Sequence, residues 1–81
     1  MNTHRAVSFR LTQKQARNYK KFVNLIRFAL YRPDYIYDVF VQNGTVEVVI
    51  SDGSFDPHRE VDVYCCPTIE AIVSITRKYL K

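Results

Sequence analysis

The stretch YIYDVFVQNGTVEVVIS, residues 35–51, specifies two strands joined by a tight turn. Asn43-Gly44 in its middle favours a type I′ turn, because both central positions of that turn need positive φ. The flanking residues are rich in β-branched and aromatic side chains, which are typical of strands. A two-residue turn fixes the register and places three apolar pairs on one face: Val41 with Val46, Val39 with Val48, and Tyr37 with Ile50. The stretch therefore predicts an antiparallel hairpin with one face in a core.

The segment before the hairpin predicts a strand and then a long helix. Apolar and polar side chains alternate over residues 6–11, which is the period of a half-buried strand. Thr12 and Gln15 have the spacing of a capping box, so we expect a helix over residues 13–30, and Pro33 prevents it from continuing. The inward residues of these elements are Val7, Phe9 and Leu11 on the strand and Ala16, Tyr19, Phe22, Val23, Ile26 and Leu30 on the helix.

The segment after the hairpin repeats this pattern of strand and helix. Residues 59–65 alternate, and Pro67 suits the first turn of a helix. The predicted inward residues of this strand are Val61, Val63 and Cys65, and the predicted outward residues are Glu60, Asp62 and Tyr64. The element order is β-α-β-β-β-α. We therefore predict one α+β domain over residues 1–81, a two-layer sandwich with two helices on one face of a mainly antiparallel sheet.

Charge is distributed unevenly along the chain of 81 residues. Twelve Lys and Arg against eight Asp and Glu give a formal net charge of +4. Residues 1–33 hold eight basic side chains and no acidic one, whereas residues 34–70 hold all eight acidic side chains and a single basic one. The basic excess at the start of the chain favours a polyanionic partner.

The basic side chains of the predicted helix lie opposite its apolar stripe. No carboxylate on this helix relieves their mutual repulsion, although an ordinary solvated face remains the alternative interpretation. The pattern predicts a small non-enzymatic binding module whose first helix contacts a polyanion, with nucleic acid as the favoured class. The contact residues are predicted to be Lys14, Arg17, Lys20 and Lys21, with Arg10 and Arg27 flanking them.

Three large side chains project near the basic arc instead of the core stripe: Leu25, Phe28 and Tyr31. Exposed rings beside Lys and Arg can stack on bases. The alternatives are that the chain after Pro33 covers them or that a second subunit does.

A second hypothesis is a small regulatory or inhibitory protein, of the phage or plasmid type that the small size of the chain suggests; for the outer face of the sheet the alternative is an ordinary solvated surface. Such a protein would dock on a protein partner through the basic helix or through an acidic sheet face carrying apolar side chains. The residues of that face are predicted to be Asp38, Phe40, Glu47, Val49, Asp62 and Tyr64, with Glu60 beside them. Because the basic and acidic faces complement each other, the chain could also form a homo-oligomer.

Catalytic, metal and cofactor chemistry find little support. Asp52, Ser54, Asp56 and His58 alternate along one loop, but they lack the pattern of a calcium loop. The set His4, His58, Cys65 and Cys66 lacks zinc-site spacing. The spacing favours no catalytic residue, no metal and no cofactor.

The two cysteines and the hydropathy pattern bear on the compartment. Cys65 and Cys66 are adjacent and are expected to be reduced thiols in the cytoplasm. No apolar run approaches the ~20 residues that span a bilayer, so we expect no membrane partner.

Two parts of the chain resemble nucleic-acid-binding families in outline. Val7-Ser-Phe9-Arg-Leu11-Thr followed by a basic helix resembles the opening of a ribbon-helix-helix repressor, in which a strand enters the major groove. The later α-β-β-β-α order is similar to that of a double-stranded RNA-binding domain. A hairpin stands where the first family has a second helix, and Cys66-Pro-Thr-Ile-Glu70 stands where the second has lysines, so neither implies a role for a particular residue.

Overall fold

A mixed sheet covered by helices organises the residues that the computed structural model describes, 6–53, 61–65 and 68–80. The strands β1 (Ala6–Arg10), β2 (Ile36–Gln42), β3 (Thr45–Ser51) and β4 (Asp62–Cys65) lie in the order β2-β3-β1-β4. Strand β3 is antiparallel to both β1 and β2, whereas β4 is parallel to β1. The described helices are α1 (Gln13–Ala16), α2 (Tyr19–Leu30) and α3 (Ile69–Tyr79). The predicted α+β class and mainly antiparallel sheet are confirmed.

The predicted hairpin is present with the expected register. Val41 lies opposite Val46, and the next two apolar pairs follow in step. Asn43 and Gly44 have φ angles of 53° and 75°, the positive values that a type I′ turn requires. The inner face of this hairpin joins the inner face of β1 in the core, where Phe9, Val48 and Ile50 are fully buried.

The helices bury their apolar faces against this same inner face of the sheet. Ile26 of α2 and Ile72 of α3 are fully buried in one cluster with the inward residues of β1 and β3. Thr68 caps α3, because its side chain accepts a hydrogen bond of 3.1 Å from the Ala71 N–H. This packing gives the two-layer arrangement that the sequence predicts.

The prediction of one helix over residues 13–30 is wrong, because the chain breaks into α1 and α2. The capping box is present: the Thr12 N–H donates to Gln15 Oε1 at 2.9 Å, and the Gln15 N–H donates to Thr12 Oγ1 at 3.2 Å. Asn18, with φ −135° and ψ 58°, leaves the helical region before α2 begins at Tyr19. Asparagine is a weaker helix former than lysine or arginine, which favours a break at this position, although its side chain makes no capping hydrogen bond here.

The predicted faces of β4 are also wrong. The parallel register places Asp62 beside Val7 and Tyr64 beside Phe9, so both lie on the inner side of the sheet. The Tyr64 ring centroid is 5.8 Å from that of Phe9, and the Tyr64 hydroxyl donates to the Tyr79 hydroxyl at 2.9 Å. Val63 is instead 44% exposed. The parallel register with β1 sets these faces, and the Tyr64 ring packs between Phe9 of β1 and Tyr79 of α3.

Several predictions fall on residues whose structure is not described. They concern His4, Ser54, Asp56, His58, Glu60, Cys66 and Pro67, which lie outside the described residues. Cys65 is described, and its thiol is exposed and not in a disulfide, contrary to its predicted inward position.

Candidate nucleic-acid interface

We use the name basic face for the set of four side chains Lys14, Arg17, Lys20 and Lys21. All four are exposed along α1, α2 and the break between them. Across residues 6–53, 61–65 and 68–80, no carboxylate lies within 4.0 Å of any of these four charges. Lys14 and Lys21 border the same surface groove, of about 380 Å³, whose wall also includes Leu25. The helix break therefore keeps at least these two predicted contact residues together.

Arg10 departs from the predicted set. It lies at the end of β1, directly opposite Glu47 of β3. Its Nε and Nη2 atoms donate to Glu47 Oε2 at 3.2 and 3.1 Å, and the Ser8 hydroxyl donates to the other carboxylate oxygen at 3.3 Å. Arg10 is therefore paired with a cross-strand carboxylate, unlike the four members of the basic face.

A larger groove lies where α2 ends and the chain turns into β2. Its volume is about 540 Å³, and its lining combines arginines with aromatic rings. We call it the aromatic groove, and it is lined by Arg27, Phe28, Tyr31, Arg32, Pro33, Tyr35 and Tyr37. The predicted flanking residue Arg27 is thus part of this groove.

The two arginines of the aromatic groove are held in different ways. The Arg27 guanidinium carbon lies 5.1 Å from the centre of the Tyr37 ring. The Arg32 guanidinium carbon lies 4.2 Å from the centre of the Tyr35 ring, and its Nε and Nη2 atoms donate to the two Asp34 carboxylate oxygens at 2.9 and 2.8 Å. Arg32 is therefore an oriented but largely compensated charge, whereas Arg27 has no carboxylate partner among the described residues.

The contacts of the aromatic groove shift the pKa values of three of its ionisable groups or their partners: Arg32, Asp34 and Tyr37. The hydrogen bond to Arg32 lowers the pKa of Asp34 below its usual 3.8, and the same bond raises the pKa of Arg32. Burial raises the pKa of the Tyr37 hydroxyl, which donates to the Arg32 carbonyl at 3.4 Å. Tyr35 donates to the Leu80 carbonyl and so ties the floor of the groove to the end of α3.

Phe28 and Tyr31 form the open wall of the aromatic groove. They are 82% and 85% exposed, so the chain after Pro33 does not cover them. The backbone of Tyr31 is left-handed, with φ 55° and ψ 43°, and its N–H donates to the Arg27 carbonyl at 2.9 Å. A left-handed residue with a side chain costs roughly 1–2 kcal/mol, and this position after a helix is commonly glycine. An exposed ring therefore stands on backbone that costs free energy for a residue with a side chain.

Sequence reasoning missed Arg32, Tyr35 and Tyr37 as members of this site. Tyr35 and Tyr37 occupy alternate positions, which is typical of the start of a strand. Nothing in the spacing of the three residues indicates that the turn at Tyr31 brings them against the end of α2. Pro33 is the available signal, because it marks the place where the chain must leave the helix.

The outer sheet face is less acidic than predicted. Asp38, Phe40, Glu47 and Val49 do lie on it, but Glu47 is paired with Arg10 and Val49 is buried. Asp62 and Tyr64 lie on the opposite face, so they are removed from the predicted protein-contact surface. The basis for self-association between a basic and an acidic face is weakened accordingly.

Comparison with known proteins does not supply a function. No family model, curated protein or solved structure matches this chain. Within the part of the chain that the structure describes, no three His, Cys, Asp or Glu side chains are grouped to hold a metal ion. None of the described helices has both the length and the apolar character that crossing a bilayer requires.

Proposed function

We propose that this protein is a small non-enzymatic module that binds nucleic acid through the basic face. Lys14, Arg17, Lys20 and Lys21 contact backbone phosphates, with Arg27 at the end of the surface. The observation that carries the proposal is that four exposed cations on α1, on α2 and in the break between them have no carboxylate partner among the described residues. Contact with phosphates would relieve this repulsion, and the binding of these cations would release the counterions that surround the free nucleic acid.

The proposal includes a cytoplasmic location. Nucleic acid and reduced thiols occur together there, and the exposed Cys65 thiol is compatible with a reducing compartment.

A titration at several salt concentrations tests the proposal. Wild-type protein is titrated into a labelled oligonucleotide, as a single strand and as a duplex, between about 50 and 200 mM salt, and fluorescence anisotropy reports binding. The variant K14Q/K21Q removes two charges from the basic face. It should make the negative slope of log K against log salt shallower by about 1.4 for the single strand or about 1.8 for the duplex, because each phosphate contact contributes about −0.7 or −0.9 to that slope.

A matched control separates the basic face from net charge. The variant R77Q/K78Q removes the same charge from the exposed last turn of α3, and its slope should stay near the wild-type value. If neither the single strand nor the duplex binds at the lowest salt concentration, the proposal is overturned. Equal slopes for wild type and K14Q/K21Q would overturn it as well.

A second candidate function is docking on a protein partner through the outer sheet face. It is favoured by Ile36 and Phe40, which lie on that face of the edge strand β2 and are 44% and 53% exposed. Phe40→Asp should then abolish capture of the partner from a lysate treated with nuclease, whereas K14Q/K21Q should not. Capture that disappears with nuclease treatment would exclude this candidate.

A further inference from the structure

We infer that the aromatic groove holds an unstacked base, so that the ligand of this protein is single-stranded nucleic acid. The inference deepens the proposed function and rests on it, because the basic face must first bind the phosphate backbone. It assigns a role to Phe28 and Tyr31, which phosphate binding alone does not explain.

The exposure of the two rings is the first argument. Phe28 and Tyr31 are three residues apart at the end of α2 and border one groove, and each has more than four-fifths of its surface in solvent. Two large rings left open beside each other lose the stabilisation that burial would give them. A base that stacks on an aromatic side chain contributes about 1–3 kcal/mol, whatever its identity. In a duplex the base faces are already stacked, so only a single strand can offer them.

The charges around the groove are the second argument. Arg27 lies over the Tyr37 ring and has no carboxylate partner among the described residues, so its donors can bind a phosphate. Arg32 is fixed between the Tyr35 ring and Asp34, and it serves to shape the groove. A site with one uncompensated guanidinium beside two open rings matches one nucleotide, with a charged phosphate and a flat apolar base.

The position of the groove on α2 is the third argument. Lys21 and Phe28 are seven residues apart, which places them on the same side of the helix and roughly 10 Å apart along its axis. Leu25 lies between them and is exposed, so no charge of the opposite sign interrupts the surface. One strand can therefore contact the basic face with its backbone and the aromatic groove with a base.

A comparison of two ligands and three substitutions tests the inference. An oligonucleotide and its duplex are titrated by anisotropy with wild type, F28A and Y31A, and with F40A as control. Phe40 is also exposed but lies on the outer sheet face, away from the groove. F28A and Y31A should each weaken single-strand binding by about 5- to 150-fold, the equivalent of 1–3 kcal/mol. F40A should not weaken it, and the salt slope of F28A should match wild type because no charge is lost.

A spectroscopic variant gives an independent readout. The chain contains no Trp, so Phe28→Trp introduces a single indole on the wall of the groove. A stacked base should quench its fluorescence, and the single strand should do so more strongly than the duplex. Because both rings are exposed, none of these substitutions removes core packing, and circular dichroism should show an unchanged fold.

The outcomes separate the inference from the proposed function. If the single strand and the duplex bind equally, and F28A and Y31A bind like wild type while K14Q/K21Q shows the reduced salt dependence expected above, the inference is overturned and the proposed function stands. If no variant binds nucleic acid at low salt, both are overturned. Tighter binding of the single strand, lost in F28A and kept in F40A, supports both.

Discussion

Replacing Tyr31 by glycine should stabilise the fold and weaken ligand binding in the same variant. Tyr31 is left-handed, with φ 55°, and its ring is 85% exposed. Removing the side chain relieves roughly 1–2 kcal/mol of backbone strain, and it sacrifices little burial. Glycine also gains about 0.4–1 kcal/mol of conformational freedom in the unfolded chain, which opposes the gain. We expect a net stabilisation of about 0.5–1 kcal/mol, or a rise in Tm of about 2–8 °C.

Thermal and urea unfolding followed by circular dichroism measure this change, with Tyr31→Ala as the matched control. Alanine removes the ring but keeps the Cβ that causes the strain, so its stability should stay within about 0.5 kcal/mol of wild type. Both variants should lose affinity for a single-stranded oligonucleotide, since both lack the ring. Glycine no more stable than alanine would refute the reasoning, because the left-handed backbone would then carry no cost at this position.

Three further predictions concern the core, the ionisation of a tyrosine and a surface ion pair. Thr76 Oγ1 is buried without a hydrogen-bond partner among the described residues. Thr76→Val should therefore raise the free energy of unfolding, measured by urea titration, by about 1 kcal/mol or more, whereas Thr76→Ser should not. A lower free energy of unfolding for Thr76→Val would contradict this. The hydrogen bond to Tyr79 raises the pKa of Tyr64 from 10.0 to about 12. The folded state therefore holds this proton more tightly than the unfolded state, so the free energy of unfolding should be constant below pH 10 and fall as the pH rises towards 12. The variant Tyr64→Phe has no such proton and should lose less stability over this range. Equal losses for the wild type and the variant in unfolding titrations would contradict the assignment. The Arg10–Glu47 pair is partly exposed. A double-mutant cycle that replaces each residue by Gln should give a coupling free energy of about 0.2–1 kcal/mol, which should decrease at high salt. A coupling free energy that does not depend on salt would be inconsistent with an exposed pair.

Features that depend on neighbouring residues could be predicted from the sequence. The hairpin and its register are confirmed because the Asn43-Gly44 turn and the apolar alternation lie within one short stretch. The start of α1 at Thr12 is a capping box of four residues. The exposure of the basic face follows from helical periodicity. The break at Asn18 does not change this exposure, because α1 and α2 each turn their apolar side towards the core.

Features that depend on distant pairing could not be predicted. The direction of Tyr64 is set by the parallel register with β1, and strand order is not encoded in the alternation of a four-residue strand. Arg10 is neutralised because the β1–β3 register places it opposite Glu47. The aromatic groove requires the turn at Tyr31 to bring residues of β2 against α2. In each case the decisive contact joins residues far apart in the sequence.

The place of β1 inside the sheet has a consequence for how the chain folds. This first described strand lies between β3 and β4, so its two partners are the middle and the late part of the chain. The hairpin of β2 and β3 closes locally, but β1 can dock on β3 only when a long loop closes, and β4 joins the sheet only through β1. Non-local steps of this kind slow folding relative to helical proteins of similar size. Until β1 docks, the edge of β3 is unpaired as well as that of β2, and both are open to pairing with other chains.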